Sequence, residues 1–352
     1  MRQMCVGRIC VIHLGALGDL VLSLPVLAAI RRQFPAAKVN LVGYPSRAEL
    51  LVGRRYADSF RDVDSSNWGS FLAGPPDAAD PAVAAYLREF DIIVAFLAGG
   101  VEQFQQAARN TGLSQVYVIT SRPAEGSVEH VVEFQMRQLR QMGWCDDSAD
   151  VIPRVFPLEN DRRWARGYLK ETLGASRPNL PLAAVHPGSG GRSKCWPLER
   201  FCDLATSIWN KLECHVLWIR GPAEERIDYA LLCAATPPGT AHVVEGLTLP
   251  QLAAVLERST IYAGNDSGVT HLAAAVGTAT VAIFGPTDPH VWAPRGGDVA
   301  VIASRADCAP CITEKRRECR TGLCLDSIPV DRVLDSILST AHLTTRGTTC
   351  MM

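Results

Sequence analysis

Apolar positions along this chain fall into two rhythms, and the alternation between them runs through the chain twice. In the first half, short β-branched runs alternate with stretches of helical period; the runs are RICVIHL from Arg8, KVNLVGY from Lys38, FDIIVAFL from Phe90 and QVYVIT from Gln115. Near-continuous apolar runs of this length read as strands buried on both faces, and their alternation with helices reads as βαβ units. A second series follows Asn179-Leu180-Pro181: LAAVHPGS, CHVLWIRGP, HVVEG, TIYAGND and TATVAIFGP. The pattern predicts an α/β protein with two parallel-sheet domains.

Residues 1–172 are expected to form the first domain and residues 173–328 the second, with 156–178 a helical connector between them. Residues 329–352 add a closing helix, VDRVLDSILSTAHL, and a flexible tail. Residues 67–85, rich in Gly, Pro, Ala and Asp, read as a loop with a weak helix start, and residues 99–110 as another loop.

Composition narrows the classes without choosing among them. A chain of 352 residues, 47% hydrophobic and 20% charged, has material for two cores. The formal net charge of -1 gives no global attraction to nucleic acid. The apolar stretches 20–30 and 272–284 are too short or too interrupted to span a bilayer. No small-residue cleavage site precedes the first glycine loop, so we expect a cytoplasmic protein.

Open parallel sheets bind ligands outside the carboxyl ends of their strands, so the loops at those ends carry the candidate chemistry. After the first strand, Gly15 and Gly18 bracket a turn that leaves Asp19 at or near a helix N-terminus, where a carboxylate either caps the helix or faces a ligand. The loop HPGSGGRSKCWP offers backbone N–H groups near Ser189 and Gly190, with Arg192 and Lys194 supplying positive charge. That combination suits a phosphate, although the spacing is not that of a P-loop. In GNDSGVTHLAAAVG, Asp266 and Ser267 can cap a helix, Gly268 permits close approach, and Thr270 and His271 lie in its first turn. In FGPTDPH, Thr287 and Asp288 either meet a ligand or form a Pro-flanked turn.

Taken together, GALGDLVLSLP from Gly15, HPGS from His186, KCWPLERF from Lys194, GNDSGVTHL from Gly264 and FGPTDP from Phe284 resemble glycosyltransferase family 9, the lipopolysaccharide heptosyltransferases. The matching stretches keep the family's order over most of residues 8–330. The resemblance implies two Rossmann-like domains facing across a cleft, the glycosyltransferase B architecture. It further implies inverting transfer of a heptose from ADP-heptose to a lipid A-core acceptor, with no metal and no cofactor. The N-terminal domain would bind acceptor and the C-terminal domain the nucleotide sugar.

By the same resemblance Asp19 takes the place of the general base, and Lys194 stabilises the leaving diphosphate. Gly18, Ser189, Gly190, Asp266, Ser267, Gly268, His271 and Thr287 fall at donor-binding positions. WIRGPAEER from Trp218 matches the segment that holds the nucleotide ribose through a Glu, here Glu224 or the adjacent Glu225. His13 departs from the family, since several relatives carry Lys or Arg there. Other readings of the same pattern are transfer of a different nucleotide-activated sugar, a sugar-nucleotide epimerase, and a non-catalytic nucleotide-sugar-binding protein.

Two features stand apart. Most of the twelve cysteines sit singly in apolar runs, but Cys308, Cys311, Cys319 and Cys324 cluster at C-x2-C-x7-C-x4-C spacing. They are expected as reduced structural thiols, with a zinc site as the alternative. The basic groups Arg31-Arg32, Arg54-Arg55 and Lys315-Arg316-Arg317 read as solvated faces or as a patch meeting acceptor phosphates at the inner membrane leaflet. We expect a monomer, peripheral to that membrane at most, with no nucleic-acid partner.

Overall fold

The computed structural model describes residues 6–73, 80–113, 115–174, 180–221, 224, 227–311, 315, 319 and 321–341. The chain divides into two compact units, Met1–Phe156 and Pro157–Met352. In the first, strands β1 (Arg8–His13), β2 (Lys38–Gly43), β3 (Ser59–Asp62), β4 (Ile92–Leu97) and β5 (Val116–Thr120) form one sheet in the order β3-β2-β1-β4-β5. In the second, β6 (Leu182–His186), β7 (His215–Ile219), β8 (Ala241–Val244), β9 (Ile261–Asn265), β10 (Thr280–Phe284) and β11 (Val299–Ala303) lie in the order β11-β10-β9-β6-β7-β8. Every pairing is parallel.

Both orders are doubly wound and Rossmann-like, reversing direction between β1 and β4 in one unit and between β6 and β9 in the other. Such reversals open a crevice at the carboxyl ends of the two strands, because their crossover helices leave on opposite faces. The central strands carry the apolar runs: Ile9, Cys10, Val11 and Ile12 in β1 and Val216, Leu217 and Trp218 in β7 are all buried. Each such aliphatic side chain contributes about 1.5–3 kcal/mol by leaving water.

Four local expectations change. Strands β3 and β11 were absent from the sequence reading. Both lie at sheet edges, where pairing comes from one side only, and SFRD in β3 has no apolar run to announce it. Within residues 67–85, expected as a loop with a weak helix start, the helices Trp68–Ala73 and Pro81–Leu87 form and Trp68 and Phe71 are buried, while residues 74–79 lie outside the described residues. Residues 99–110 also fold into a helix, Val101–Asn110, whose Phe104 meets Phe71 edge-on at 5.7 Å. The segment read as a connector forms the helix Glu159–Leu173, held in the second unit by both nitrogens of an Arg162 fork on Glu257 at 2.7 Å each. The closing helix Val330–Thr340 buries Val333, Leu334 and Ile337 in the second core.

Candidate functional site

In the first unit, β1 ends at His13 and the helix Leu17–Leu22 begins four residues later. Gly15 allows that turn: a Cβ there would stand 2.8 Å from both the Asp19 Cβ and the His13 ring. Gly18 lies inside the helix, so it does not make the turn the sequence suggested. Ala16, not Asp19, occupies the N-cap. Asp19 sits in the first turn and reaches back, its Oδ2 accepting from the Ala16 N–H at 3.2 Å. The same oxygen meets Arg122 Nη2 at 2.9 Å, while the Asp19 side chain keeps 14% of its surface exposed. Capping and availability therefore coexist in one carboxylate.

Behind Asp19, His13 is 3% exposed, and its Nε2 lies 3.2 Å from Ser23 Oγ. Its Nδ1 is buried with no hydrogen-bond partner among the described residues. Burial pushes its pKa down from 6.5 to about 4, with Asp19 pulling the other way and Arg47 adding to the push. The His13 ring is thus neutral near pH 7. An unfolded His13 would take up a proton near 6.5 and the native one only near 4, so this term is full above 6.5 and lost as pH falls toward 4. Between pH 7.5 and 5 the parent should lose about 2 kcal/mol more stability than His13→Gln, measured by urea unfolding at both values. Equal losses would show that His13 takes no part in the acid sensitivity.

In the second unit, the loops after β6, β7, β9 and β10 bring the remaining residues together. After β6, Asn265 stitches the chain in place: its side-chain amide donates to Pro187 O at 2.8 Å, and its Oδ1 accepts from Trp196 N at 2.9 Å. The Trp196 ring is buried and donates to Ile328 O at 3.1 Å. Between these anchors runs the turn Arg192–Lys194. Lys194 Nζ meets Asp266 Oδ2 at 2.7 Å, and Ser189 Oγ donates to Asp266 O at 2.7 Å.

Asp266 is buried, and its Oδ1 lies 4.0 Å from His271 Nε2. It does not cap the helix Gly268–Ala275; Ser267 does, accepting from the Thr270 N–H at 3.4 Å. Gly268 opens that helix. Thr287, after β10, is 5% exposed, and its Oγ1 has no partner among the described residues. Asp288 caps the short helix Pro289–Trp292 and so takes the turn-forming role. Gly190 follows Ser189 in the open part of the loop, where a Cβ would meet nothing within 4 Å.

After β7, Glu224 is 4% exposed. Its Oε2 accepts from the Gly221 N–H at 2.8 Å, and its Oε1 lies 3.5 Å from His186 Nε2. Burial raises the carboxyl, but His186 and the Gly221 N–H outweigh it and hold the group below the usual range. Gly188 makes room for this carboxylate, since a Cβ there would run into it. Glu225 lies outside the described residues.

The arrangement brings the Lys194 ammonium, the Ser189 hydroxyl and the Ser267 helix start together around Asp266 at the β6–β9 reversal. Sequence reasoning missed Arg122, His186 and Asn265. Arg122 stands two residues past β5, a basic side chain after a strand end of the sheet that positions Asp19; His186 and Asn265 end β6 and β9. Of the basic pairs, Arg31 and Arg54 turn inward, Arg31 to Asp58 at 3.1 Å and Arg54 to Glu49 O at 2.8 Å. The ten cysteines among the described residues are free. Cys308 and Cys319 are exposed while Cys324 is buried, and the Cys311 N–H donates to Pro286 O at 2.8 Å. Among the described residues no group of three or more His, Cys, Asp or Glu side chains is arranged to hold a metal ion, and no helix is long and apolar enough to cross a membrane.

Comparison with known proteins agrees with this geometry. The family model described as glycosyltransferase family 9 (heptosyltransferase) matches residues 93–321. Lipopolysaccharide heptosyltransferase 1 of Pseudomonas aeruginosa is 24% identical over 322 residues, covering 87% of this chain and 86% of the relative. The glycosyl transferase family 9 structure from Veillonella parvula superposes with a TM-score of 0.77 at 20% identity, covering 97% of this chain and 99% of that one. Escherichia coli heptosyltransferase WaaC, solved with ADP-2-deoxy-2-fluoro heptose, superposes with a TM-score of 0.61 at 17% identity, covering 94% and 99%. The two doubly wound units, the strand-end loops and the matched family model lead to one conclusion: this chain is a glycosyltransferase of the glycosyltransferase B architecture and belongs to glycosyltransferase family 9, the heptosyltransferases.

Proposed function

We propose that the chain transfers a heptose from ADP-heptose to an inner-core lipopolysaccharide acceptor with inversion. The first unit binds the acceptor and the second the donor. The observation that carries the reading is the cluster at the β6–β9 reversal, where Lys194 and Ser189 converge on Asp266 beside the Ser267 helix start. Support for the sugar comes from the family and from the E. coli relative solved with an ADP-heptose analogue.

In this reading the acceptor hydroxyl oxygen bonds to the anomeric carbon on the face opposite ADP, and its proton passes to the Asp19 carboxylate. The bond from that carbon to the diphosphate oxygen breaks, and ADP leaves with the electron pair. Lys194, Ser189, the N–H groups near Gly190 and Gly268, and Thr287 Oγ1 stabilise the charge that develops, each well-placed donor being worth about 3–4 kcal/mol. Asp266 and His271 border the sugar and diphosphate, and Glu224 meets the ribose. Because the acceptor is a lipid, the reaction takes place at a membrane surface.

The test presents purified protein with ADP-heptose, UDP-sugars and GDP-sugars and a truncated core acceptor, reading released nucleotide. Turnover is expected with ADP-heptose only, and only with acceptor present. It is also expected to survive EDTA, because fixed donors take the place of a divalent ion. Turnover with another sugar nucleotide alone overturns the donor assignment, and activity lost to EDTA and restored by Mg²⁺ overturns the metal-independent mechanism.

A further inference from the structure

The ring of His186 stands between two groups that lie on different loops. Its Nε2 is 3.5 Å from Glu224 Oε1, on the loop after β7. Its Nδ1 is 3.2 Å from Ser267 Oγ, the cap of the helix after β9. The ring is 3% exposed, so water does not compete for either nitrogen.

An ionised Glu224 only accepts, so Nε2 carries a hydrogen toward it. Ser267 Oγ lies 3.2 Å from Nδ1 and 3.1 Å from Thr270 Oγ1, and it accepts from the Thr270 N–H. Thr270 Oγ1 donates to Asn265 O and receives from Tyr262 OH at 2.9 Å.

Glu224 is held at both carboxylate oxygens. Gly221 N–H holds Oε2, His186 holds Oε1, and the missing Cβ at Gly188 leaves the space that the carboxylate fills. We propose that His186 is a positioning residue that aims the Glu224 carboxylate at the ribose hydroxyls of the donor nucleotide and ties it to the helix start that meets the diphosphate. The inference rests on the reading that Glu224 meets the ribose.

The test measures equilibrium binding of ADP and of 2′,3′-dideoxy-ADP to the folded parent, Glu224→Ala, His186→Asn and His186→Gln. The parent is expected to favour ADP by about ten- to a hundredfold, the range for hydrogen bonds to a charged acceptor. His186→Asn places an amide near Nδ1 and nothing near Nε2. It should flatten the ratio toward that of Glu224→Ala while dideoxy-ADP binds as it does to the parent. His186→Gln reaches toward Nε2 and should keep most of the ratio.

A ratio unchanged in His186→Asn, or an equal weakening of both nucleotides, overturns the positioning role. If His186→Asn does not fold, Ser267→Ala unhooks the other end of the ring and should lower the ratio at least threefold; an unchanged ratio again overturns the proposal. A parent that does not distinguish the two nucleotides, or a Glu224→Ala variant that still does, refutes the ribose reading itself, and the role of His186 falls with it.

Discussion

Asp19→Asn is expected to fold like the parent and to transfer sugar at about one hundredth of its rate or less. Asn retains an oxygen that accepts from the Ala16 N–H, so the first turn of Leu17–Leu22 keeps its local bond. What the substitution removes is charge. The lost attraction to Arg122 is small, because that side chain is 53% exposed and solvent-facing ion pairs contribute only about 0–1 kcal/mol. Stability should therefore shift by less than about 1 kcal/mol, followed by thermal unfolding. Proton removal is a different matter, since an amide does not accept a proton at neutral pH and a positioned general base contributes about a hundredfold or more. Donor affinity should stay at the parent value. Transfer by Asp19→Asn at near the parent rate would leave the carboxylate with only its first-turn bond and its ion pair.

Lys194→Ala is expected to lower kcat/KM for the donor by about a hundred- to a thousandfold, the loss typical of one preorganised donor at a developing negative charge. The structure adds a stability cost that a free loop lysine would not carry. Asp266 is buried and takes Lys194 at 2.7 Å, so the substitution leaves its carboxylate short of its closest cation. That deficit should cost about 1–3 kcal/mol in unfolding experiments. The two effects separate in the double variant Lys194→Ala/Asp266→Asn, in which the amide no longer needs a counter-charge. Stability should largely return while donor use stays low. If the double variant recovers donor use along with stability, Lys194 serves the fold and not the diphosphate.

His13 and Lys194 show opposite uses of burial beside a site. Low solvent exposure keeps the His13 imidazole neutral, which leaves Arg122 as the cation on Asp19. The Lys194 side chain is 27% exposed and its ammonium meets a buried carboxylate, so the pair holds the loop after β6 near the β9 helix start. In the proposed function an incoming diphosphate would share Lys194 with Asp266 and gain a donor already fixed in place.

The sequence alone determined the α/β class, nine of the eleven strands among the described residues and the strand-end loops on which the candidate residues lie. Strands buried on both faces must be apolar throughout, and a loop that approaches a ligand needs glycine, so both leave local traces. The helix after β9 and the phosphate-suited loop after β6 were legible for the same reason. What the sequence could not give was anything that depends on a partner far along the chain. The edge strands β3 and β11 exist because β2 and β10 offer them a ladder, and the helix Val101–Asn110 is fixed by Phe104 meeting Phe71. Asp19 meets Arg122 across 103 residues, and Lys194 meets Asp266 across 72. His186 lies between Glu224 and Ser267 because β6 sits at the centre of its sheet, with β7 on one side and β9 on the other. Strand order is a global outcome of packing, and no single loop encodes it. The sequence supplied the chemical groups; the order of the strands decided which of them meet.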